Sequence, residues 1–301
     1  MARKKATASR PDAPAPAPAI APTIAFVTTC RGRLHHLKQT LPAMAAQAPD
    51  ELIVVDYGCP DGTGDWVETN FPAAKVVRAS QPDGGFNVSR ARNLGAAEAA
   101  SDWLFFIDAD VTCQPGLGEW LRGALEAGKF YRPVPGEGPP AHQVFGSFAC
   151  AAADFARAEG FDEVIEGWGY EDRDMYQRLG HGGVAEAHYP SGLVTAILHA
   201  NDERHLLPDL GNRWQNWTVN ACYAEAKQKI SLFRGGTGNL PLQDRRALRQ
   251  QTGQIVRKWI AGGAGQQLQV KFTVRRDEPQ RLIGRMHVRS EWTLTVIVHG
   301  P

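Results

Sequence analysis

Two aspartates one residue apart, Asp108 and Asp110, directly follow a short apolar run at residues 103–107 (WLFFI). Such a run is typical of a strand buried in the middle of a sheet. Residues i and i+2 of an extended segment point the same way, so both carboxylates can face one point at the strand's carboxyl end. Ligands bind at that edge of open α/β sheets. Two close carboxylates need a cation, a proton or a basic group between them. Mn²⁺ or Mg²⁺ holding a diphosphate meets this need; a solvated acidic turn is the alternative.

A second segment that could do chemistry lies at residues 167–174 (GWGYEDRD). Its two glycines permit an unusual backbone around Trp168, whose indole could stack on the apolar face of a sugar. Glu171, Asp172 and Asp174 then stand at a predicted helix start, where the helix dipole stabilises their charged forms. An ionised carboxylate within reach of a hydroxyl can act as a general base. The alternative is a helix cap followed by acidic surface residues.

Further candidate ligands follow other predicted strands. Asp56 ends the second strand and either stabilises a turn or accepts hydrogen bonds from a uracil or a ribose. His199 ends a late strand and, with Asp110, would offer the mixed oxygen and nitrogen ligation that Mn²⁺ accepts. His205 is a reserve ligand, although a surface histidine is the more ordinary interpretation.

Basic residues near the same edge suit a phosphate. Arg90 and Arg92 lie in the first turns of a predicted helix, where the dipole also favours an anion, and Arg92 is the preferred contact. Arg31 and Arg33 in the turn after the first strand form a second candidate phosphate contact. Thr28, the last residue of that strand, joins the candidates for donor binding.

The elements that position these residues alternate between strand and helix. Strands are predicted at residues 24–28, 51–55, 74–78, 103–107, 145–149, 184–187 and 193–198. A helix is predicted to follow Leu34, with Pro42 as a kink or break, and a short helix is predicted at 65–71. A third helix is capped by Asn87 or Ser89, and a fourth runs from a cap at Asp154 to Gly160. A fifth helix begins at Glu171. This alternation predicts an α/β fold with a mostly parallel, right-handed central sheet flanked by helices. The Pro- and Gly-rich stretch at 129–142 predicts a loop or lid.

Three regions are expected along the chain. Residues 1–21 are predicted to form a disordered, basic and Pro/Ala-rich tail. Residues 22–212 are predicted to form the main domain, and residues 213–301 a small C-terminal α+β addition. The addition is predicted to hold helices near 218–230 and 243–260 and two strands that could pair as a hairpin.

Composition narrows the function classes. The 301 residues include 33 basic and 32 acidic ones, so no general positive field favours nucleic acid as a partner. Five scattered cysteines without C-x-x-C spacing predict reduced thiols rather than a disulfide framework or a structural zinc site. No apolar run approaches the length of a membrane span. A cytoplasmic location is expected, with contact between the basic tail and the inner face of the membrane as an alternative.

Four motifs, in this order, carry a family resemblance: VVDYGCPDGTGDW, GFNVSRARNLGAA, FFIDAD and GWGYEDRDMYQRL. Over about residues 23 to 200, the chain resembles family-2-like glycosyltransferases of the GT-A fold, of the galactosyltransferase and chondroitin-polymerase type. The resemblance implies a Rossmann-like domain that binds a nucleotide-sugar, usually UDP-linked, with Mn²⁺ or Mg²⁺ on its diphosphate. It also implies inversion at the anomeric carbon by a single displacement.

The resemblance also implies roles for the donor-side residues. Asp56 would contact the nucleoside, and Asp108 the ribose or the metal. Asp110 would be the principal metal ligand and His199 a further one.

On the sugar side, the resemblance makes Asp172 the catalytic base, while Glu171 would bind the acceptor or donor sugar and Trp168 would line the sugar site. Asp174, from the same motif, is a further candidate for binding the sugar substrate. Tyr170 stands where galactosyltransferases often have glycine, which implies a differently shaped sugar pocket.

The predicted function is transfer of a sugar from a nucleotide-sugar to a hydroxyl of a saccharide or glycoconjugate acceptor. A non-catalytic sugar-binding or nucleotide-sugar-binding module on the same fold is one alternative. A nucleotidyltransferase is another, but it would be expected to carry a Gly-rich basic loop after the first strand, where TTCRGRLHH has a single glycine.

Overall fold

The computed structural model describes residues 21–79, 85–134, 144–197, 213–263, 267–277 and 289–299. Its first half alternates strands and helices as predicted: β1 (Ile24–Cys30), α1 (Leu34–Ala45), β2 (Glu51–Tyr57), α2 (Thr63–Asn70), β3 (Lys75–Ala79), α3 (Val88–Ala97) and β4 (Trp103–Phe106). The four strands are mutually parallel, in the order β3-β2-β1-β4. This is the predicted parallel half-sheet.

The predicted central strand is confirmed. All four residues of β4 are buried, between β1 on one side and the antiparallel strand β7 (Phe148–Ala151) on the other. Phe105 faces one apolar cluster and Phe106 the other, because successive side chains of a strand point to opposite faces. A strand with both faces covered needs the continuous apolar run that the sequence shows.

The sheet is completed by strands from the second half of the chain. β6 (Lys129–Pro133) and β8 (Ala185–Tyr189) extend the order to seven strands, β3-β2-β1-β4-β7-β6-β8. The prediction of a loop from residue 129 onward was therefore wrong for its first five residues. Phe130 and Tyr131 are buried there. The free energy gained by burying these two side chains outweighs the preference of the following prolines and glycines for a turn. Residues 135–143 lie outside the described residues.

Three helices differ in detail from their predicted form. α1 runs through Pro42 without ending, because its apolar face packs on the sheet. Asn87 rather than Ser89 caps α3, since its side chain accepts a hydrogen bond from the backbone N–H of Arg90 at 2.9 Å. Asp154 is not a cap: it lies inside the first turn of α5 (Ala152–Arg157) and pairs with Arg157 at 2.5 Å.

A small two-stranded sheet joins the central motif to the chain beyond α6 (Glu171–His181). β5 (Val111–Cys113) follows the paired aspartates and binds β9 (Val194–Ala196) in antiparallel register, with Val111 opposite Ala196. The predicted strand at 193–198 is therefore present but shorter.

After residue 212 the predicted elements are present and longer. α7 (Arg213–Phe233) and α8 (Leu242–Ala261) precede a hairpin of β10 (Gln267–Asp277) and β11 (Arg289–His299). These elements share an apolar cluster that also contains Ile165 of the main domain. The C-terminal addition therefore packs directly on the region that leads into α6. The domain boundary at residue 212 stays a prediction.

All five cysteines are free thiols, as expected from their spacing. No helix within the described ranges is long and apolar enough to cross a membrane.

Candidate active site

A cavity of about 640 Å³ lies where β1 and β4 end, and the start of α6 and the start of α7 close its other side. The position agrees with the rule that open α/β sheets bind ligands at the carboxyl ends of their strands. The cavity lining includes seven of the predicted site residues: Arg31, Arg92, Asp108, Asp110, Trp168, Glu171 and Asp172. The two segments singled out from the sequence therefore share one cavity.

The guanidinium of Arg92 joins these two segments. Its Nη2 lies 2.8 Å from Oδ1 of Asp108 at the end of β4, and its Nη1 lies 2.6 Å from Oδ1 of Asp172 in the first turn of α6. Nη1 is also 3.7 Å from Oε1 of Glu171. The side chain is only 4% exposed, and the ring centre of Phe161 lies 5.0 Å from its guanidinium carbon. Arg92 thus holds three carboxylates together, and its predicted contact with a phosphate stays a prediction.

The close approach of these groups requires the glycine at position 146. A Cβ atom there would lie 2.7 Å from Nη2 of Arg92, 3.0 Å from Oδ2 of Asp108 and 3.2 Å from Oδ2 of Asp172. Any side chain would therefore force the cluster apart. Sequence reasoning missed Gly146, because nothing local marks a glycine whose neighbours come from three distant segments.

Burial and mutual repulsion raise the pKa values of Glu171 and Asp172, the two acidic residues at the start of α6. Burial raises the pKa of Glu171 to about 8, with a further contribution from the charge of Asp172 and an opposing one from Arg92. Burial also raises the pKa of Asp172, while the nearby Arg92 guanidinium counteracts it. The pair therefore retains a proton near neutral pH, which is a typical arrangement for acid–base chemistry.

We expect this pair to make stability fall with rising pH. Unfolded Glu171 would titrate near its ordinary value of 4.5 and the folded residue near 8, so between these values the native state binds more protons and the free energy of unfolding declines. The shift corresponds to at most about 5 kcal/mol. In Glu171→Gln the decline should largely disappear, which urea unfolding at pH 5.5 and 8.5 would show. The control is Glu119→Gln, which changes an exposed glutamate; the same pH difference in both variants would contradict the assignment.

The backbone just before α6 is strained. Tyr170 has a φ of +77°, in the left-handed region that costs a residue other than glycine about 1–2 kcal/mol. Its hydroxyl donates to Oε1 of Glu225 on α7 at 2.6 Å, and its ring meets that of Trp217 edge-on at 5.9 Å. These contacts hold the tyrosine where galactosyltransferases often have glycine. The resemblance predicted a changed pocket shape here, and the structure places the Tyr170 side chain in the cavity lining.

The two carboxylates of the predicted metal motif each have an arginine partner. Asp108 pairs with Arg92, and Oδ2 of Asp110 lies 2.8 Å from Nη1 of Arg33. Both carboxylates line the cavity with side chains 35% and 20% exposed, so they could also offer oxygen ligands to a hard divalent ion. The residues fit such an ion as a pair. Within the part of the chain that the structure describes, no third histidine, cysteine or acid joins them as a group.

The predicted third metal ligand lies outside the described residues, and so does His205. The last described residue before His199 is Ile197, whose backbone N–H donates to the carbonyl oxygen of Asp110 at 2.7 Å. The β5–β9 pairing therefore brings the chain to Asp110 two residues before His199. The role of His199 stays a prediction.

Three predicted site residues lie outside the cavity lining. Asp56 is buried and accepts hydrogen bonds from the backbone N–H groups of Cys59 at 2.7 Å and Gly64 at 2.8 Å, so it stabilises its own turn. Thr28 is fully buried within β1. Asp174 is fully buried in a separate ionic cluster. None of the three lines the described cavity, so contact of Asp56 and Thr28 with the donor and of Asp174 with a sugar stays a prediction without support from these positions.

The site also contains residues from the C-terminal addition. Arg213 and Trp217, on the first turns of α7, line the cavity beside Trp168. Sequence reasoning missed both, because they lie beyond the last recognisable motif. The available signal was an arginine and a tryptophan four residues apart, just before the helix predicted near 218–230, where an extended helix would place both on one face.

Two family descriptions match consecutive parts of the chain. Residues 25–131 match "Glycosyl transferase family 2", and residues 139–202 match "N-terminal domain of galactosyltransferase". The first match contains Asp108 and Asp110, and the second contains Glu171 and Asp172. The strand-end side of the cavity and the start of α6 therefore fall within matched segments, whereas the start of α7 lies beyond them.

Individual proteins similar to this chain are also glycosyltransferases. Two validoxylamine A glucosyltransferases, from Streptomyces hygroscopicus subsp. limoneus and subsp. jinggangensis, are 26% and 24% identical over 54% of this chain. The match covers 49% and 52% of those proteins, so the chain spans about half the length of the curated relatives it matches. The structure of a Pyrobaculum calidifontis mannosyltransferase in complex with GDP-Man and Mn²⁺ superposes with a TM-score of 0.50 at 16% identity, covering 83% of this chain and 78% of that one. The matches identify residues 25–131 as a glycosyltransferase family 2 segment and residues 139–202 as a galactosyltransferase-type segment, and the sheet topology agrees with a GT-A fold.

Proposed function

We propose that the protein is an inverting, metal-dependent glycosyltransferase that moves a sugar from a nucleotide-sugar donor to a hydroxyl of a saccharide or glycoconjugate. The observation that carries this proposal is the cluster around Arg92, which brings Asp108 of the predicted metal motif and Asp172 of the predicted base into one cavity. We include in the proposal a UDP-linked donor, as the family implies, and a cytoplasmic location, with contact at the inner face of the membrane as the alternative.

Asp172 is the residue we assign as general base. Its Oδ1 is held by Arg92, which favours the ionised form, while burial raises the pKa and so increases the affinity of the carboxylate for a proton. A base that is ionised yet more basic than an ordinary aspartate suits removal of a proton from a hydroxyl. Attack by that hydroxyl on the anomeric carbon, from the face opposite the leaving diphosphate, inverts the configuration in one step. No covalent intermediate with the protein is required.

Asp108 and Asp110 are the residues that would hold Mn²⁺ or Mg²⁺, with His199 as the further predicted ligand. Such an ion, when bound, offsets charge on a leaving diphosphate. Arg31 and Arg33 also line this end of the cavity and are the candidate phosphate contacts. In this structure Arg33 pairs with Asp110, so a donor phosphate would compete with the Asp110 carboxylate for the Arg33 guanidinium.

The test is release of nucleoside diphosphate from a panel of UDP-sugars and GDP-mannose, with Mn²⁺ or with EDTA. We expect slow hydrolysis of one donor that requires the metal, even without an acceptor. Binding of a nucleotide-sugar without any turnover, with or without added saccharides, would instead identify a binding module. Binding of no nucleotide-sugar under either condition would overturn the proposal.

A further inference from the structure

We propose, on the basis of the proposed function, that the acceptor saccharide carries an anionic group, a carboxylate or a phosphate. The part of the cavity that would bind this group is formed by Trp168, Arg173, Arg213 and Trp217, and we term these four residues the cationic subsite. It joins the start of α6 to the start of α7.

Two exposed indoles give the cationic subsite its apolar surface. Trp168 is 38% exposed and Trp217 is 39% exposed, and both line the cavity. Large aromatic side chains are usually buried, so two exposed ones in one concave site mark a binding surface. Flat apolar surfaces of this kind match the C–H faces of sugar rings.

Two arginines give the cationic subsite its charge. The guanidinium carbon of Arg213 lies 4.1 Å from the ring centre of Trp168, and that of Arg173 lies 5.5 Å from the ring centre of Tyr170. A guanidinium over an aromatic ring is held by cation–π attraction, while its planar edge presents a fork of N–H donors that matches a carboxylate or a phosphate. Both arginines line the cavity.

The distribution of charge within the cavity separates this end from the donor end. Three of the four acidic groups lining the cavity, Asp108, Asp110 and Asp172, have an arginine within 2.8 Å from Arg92 or Arg33. Arg92 and Arg33 serve the donor end, whereas Arg173 and Arg213 supply the positive charge of the cationic subsite. An acceptor with a negative group would complement it.

The cationic subsite is rigidly built. Asn220 on α7 donates from Nδ2 to the backbone carbonyl oxygens of Gly169 at 2.8 Å and Glu166 at 3.1 Å, which fixes the loop that carries Trp168. Gly169 has a φ of +88°, and a Cβ atom there would lie 3.0 Å from Cδ1 of Trp217. Loop and helix are therefore closely packed before any ligand arrives, and such preorganisation lowers the cost of binding.

The position of the cationic subsite relative to Asp172 indicates that it binds the acceptor rather than the donor. Arg173 directly follows Asp172, whereas the predicted metal and diphosphate contacts lie at the strand ends. A saccharide on the cationic subsite would lie next to the general base, where the attacking hydroxyl must be.

The experiment measures binding of two acidic sugars and a neutral one to the full chain, with UDP and Mn²⁺ present to occupy the donor end. Methyl glucuronide supplies a carboxylate, glucose 6-phosphate supplies a phosphate, and methyl glucoside is the neutral reference. We expect at least one acidic sugar to bind about tenfold tighter than the glucoside, because its hydrogen bonds are charge-assisted. Arg213→Gln should remove this preference. The matched control, Arg275→Gln, changes the net charge equally at an exposed hairpin arginine and should keep it.

The outcomes separate this inference from the proposed function. A tenfold preference confined to one acid identifies the carboxylate or the phosphate as the recognised group. No preference for either acid at the highest soluble concentrations, with UDP still bound, overturns the cationic subsite and leaves the glycosyltransferase proposal standing. An unchanged preference in Arg213→Gln also overturns it. Failure of UDP itself to bind counts against the proposed function instead.

Discussion

Asp172→Asn will lower the rate of sugar transfer by a factor on the order of 10³, within the range that a positioned general base contributes. Asparagine keeps the size of the side chain but cannot take the proton from an acceptor hydroxyl. Arg92 keeps its 2.8 Å contact with Asp108, so the donor end of the cavity should persist. We therefore expect the loss in kcat and little change in the Kd for the donor. Initial-rate kinetics and donor titration on the same preparations measure both quantities.

The matched control for this variant is Asp244→Asn, which removes a half-exposed carboxylate that pairs with Arg234 on the surface. It should transfer sugar at the wild-type rate. If Asp172→Asn retains transfer within a few-fold of wild type, Asp172 is not the base. Glu171, the adjacent carboxyl group in the same cluster, would then be the residue to examine.

Lys227→Met will lower the free energy of unfolding by about 3 kcal/mol or more, because it leaves buried carboxylates without their shared cation. Nζ of Lys227 lies 2.8 Å from Oδ2 of Asp162 and 2.7 Å from Oδ1 of Asp174, and all three side chains are fully buried. Arg245 and Arg178 each still contact one of the two aspartates, so we expect the lower end of the usual 3–5 kcal/mol range.

Urea unfolding of Lys227→Met beside Lys229→Met gives the comparison. Lys229 lies two residues further along α7 with an exposed side chain, so its replacement should change stability by less than about 1 kcal/mol. Because Lys227 ties α7 to Asp174 within α6, its loss should also reduce transfer by loosening the helix that carries Asp172. Equal stability of the two variants would show that the buried cluster does not join the C-terminal addition to the main domain.

The parts of the fold that the sequence predicts best are those with local causes. The buried run before Asp108 predicts a central strand because only a strand covered on both faces needs unbroken apolar residues. The strand at residues 129–133 was not predicted. Its burial depends on strands β7 and β8, and the prolines beyond it gave a stronger local signal for a loop.

The position of Asp174 away from the cavity has a simple geometric cause. Residues two apart on a helix point to nearly opposite sides, since each residue turns the helix by 100°. Asp172 faces the cavity, and Asp174 therefore points inward to Lys227. The motif groups three acidic residues at the helix start, whereas the helical period places Asp172 and Asp174 in different surroundings.

The contacts of Arg92 and Asp56 could not be predicted from the residues next to them in the sequence. An arginine at a helix start near a ligand edge suits a phosphate, but its actual partners, Asp108 and Asp172, lie 16 and 80 residues away along the chain. Asp56 has the position of the alternative interpretation, a carboxylate that stabilises a turn. Its side chain accepts hydrogen bonds from two backbone N–H groups of its own turn.

The most direct test of the central claim is nucleotide-sugar turnover by the wild type and by Asp110→Asn, each with Mn²⁺ and with EDTA. Asp110 lines the cavity beside the strand end, and the amide of asparagine is a weaker ligand for a hard cation than a carboxylate. We predict metal-dependent release of nucleoside diphosphate by the wild type and its loss in Asp110→Asn, with Asp244→Asn unaffected. Turnover that is equal in Asp110→Asn and wild type, or that persists in EDTA, would contradict a metal-dependent glycosyltransferase site at Asp108 and Asp110.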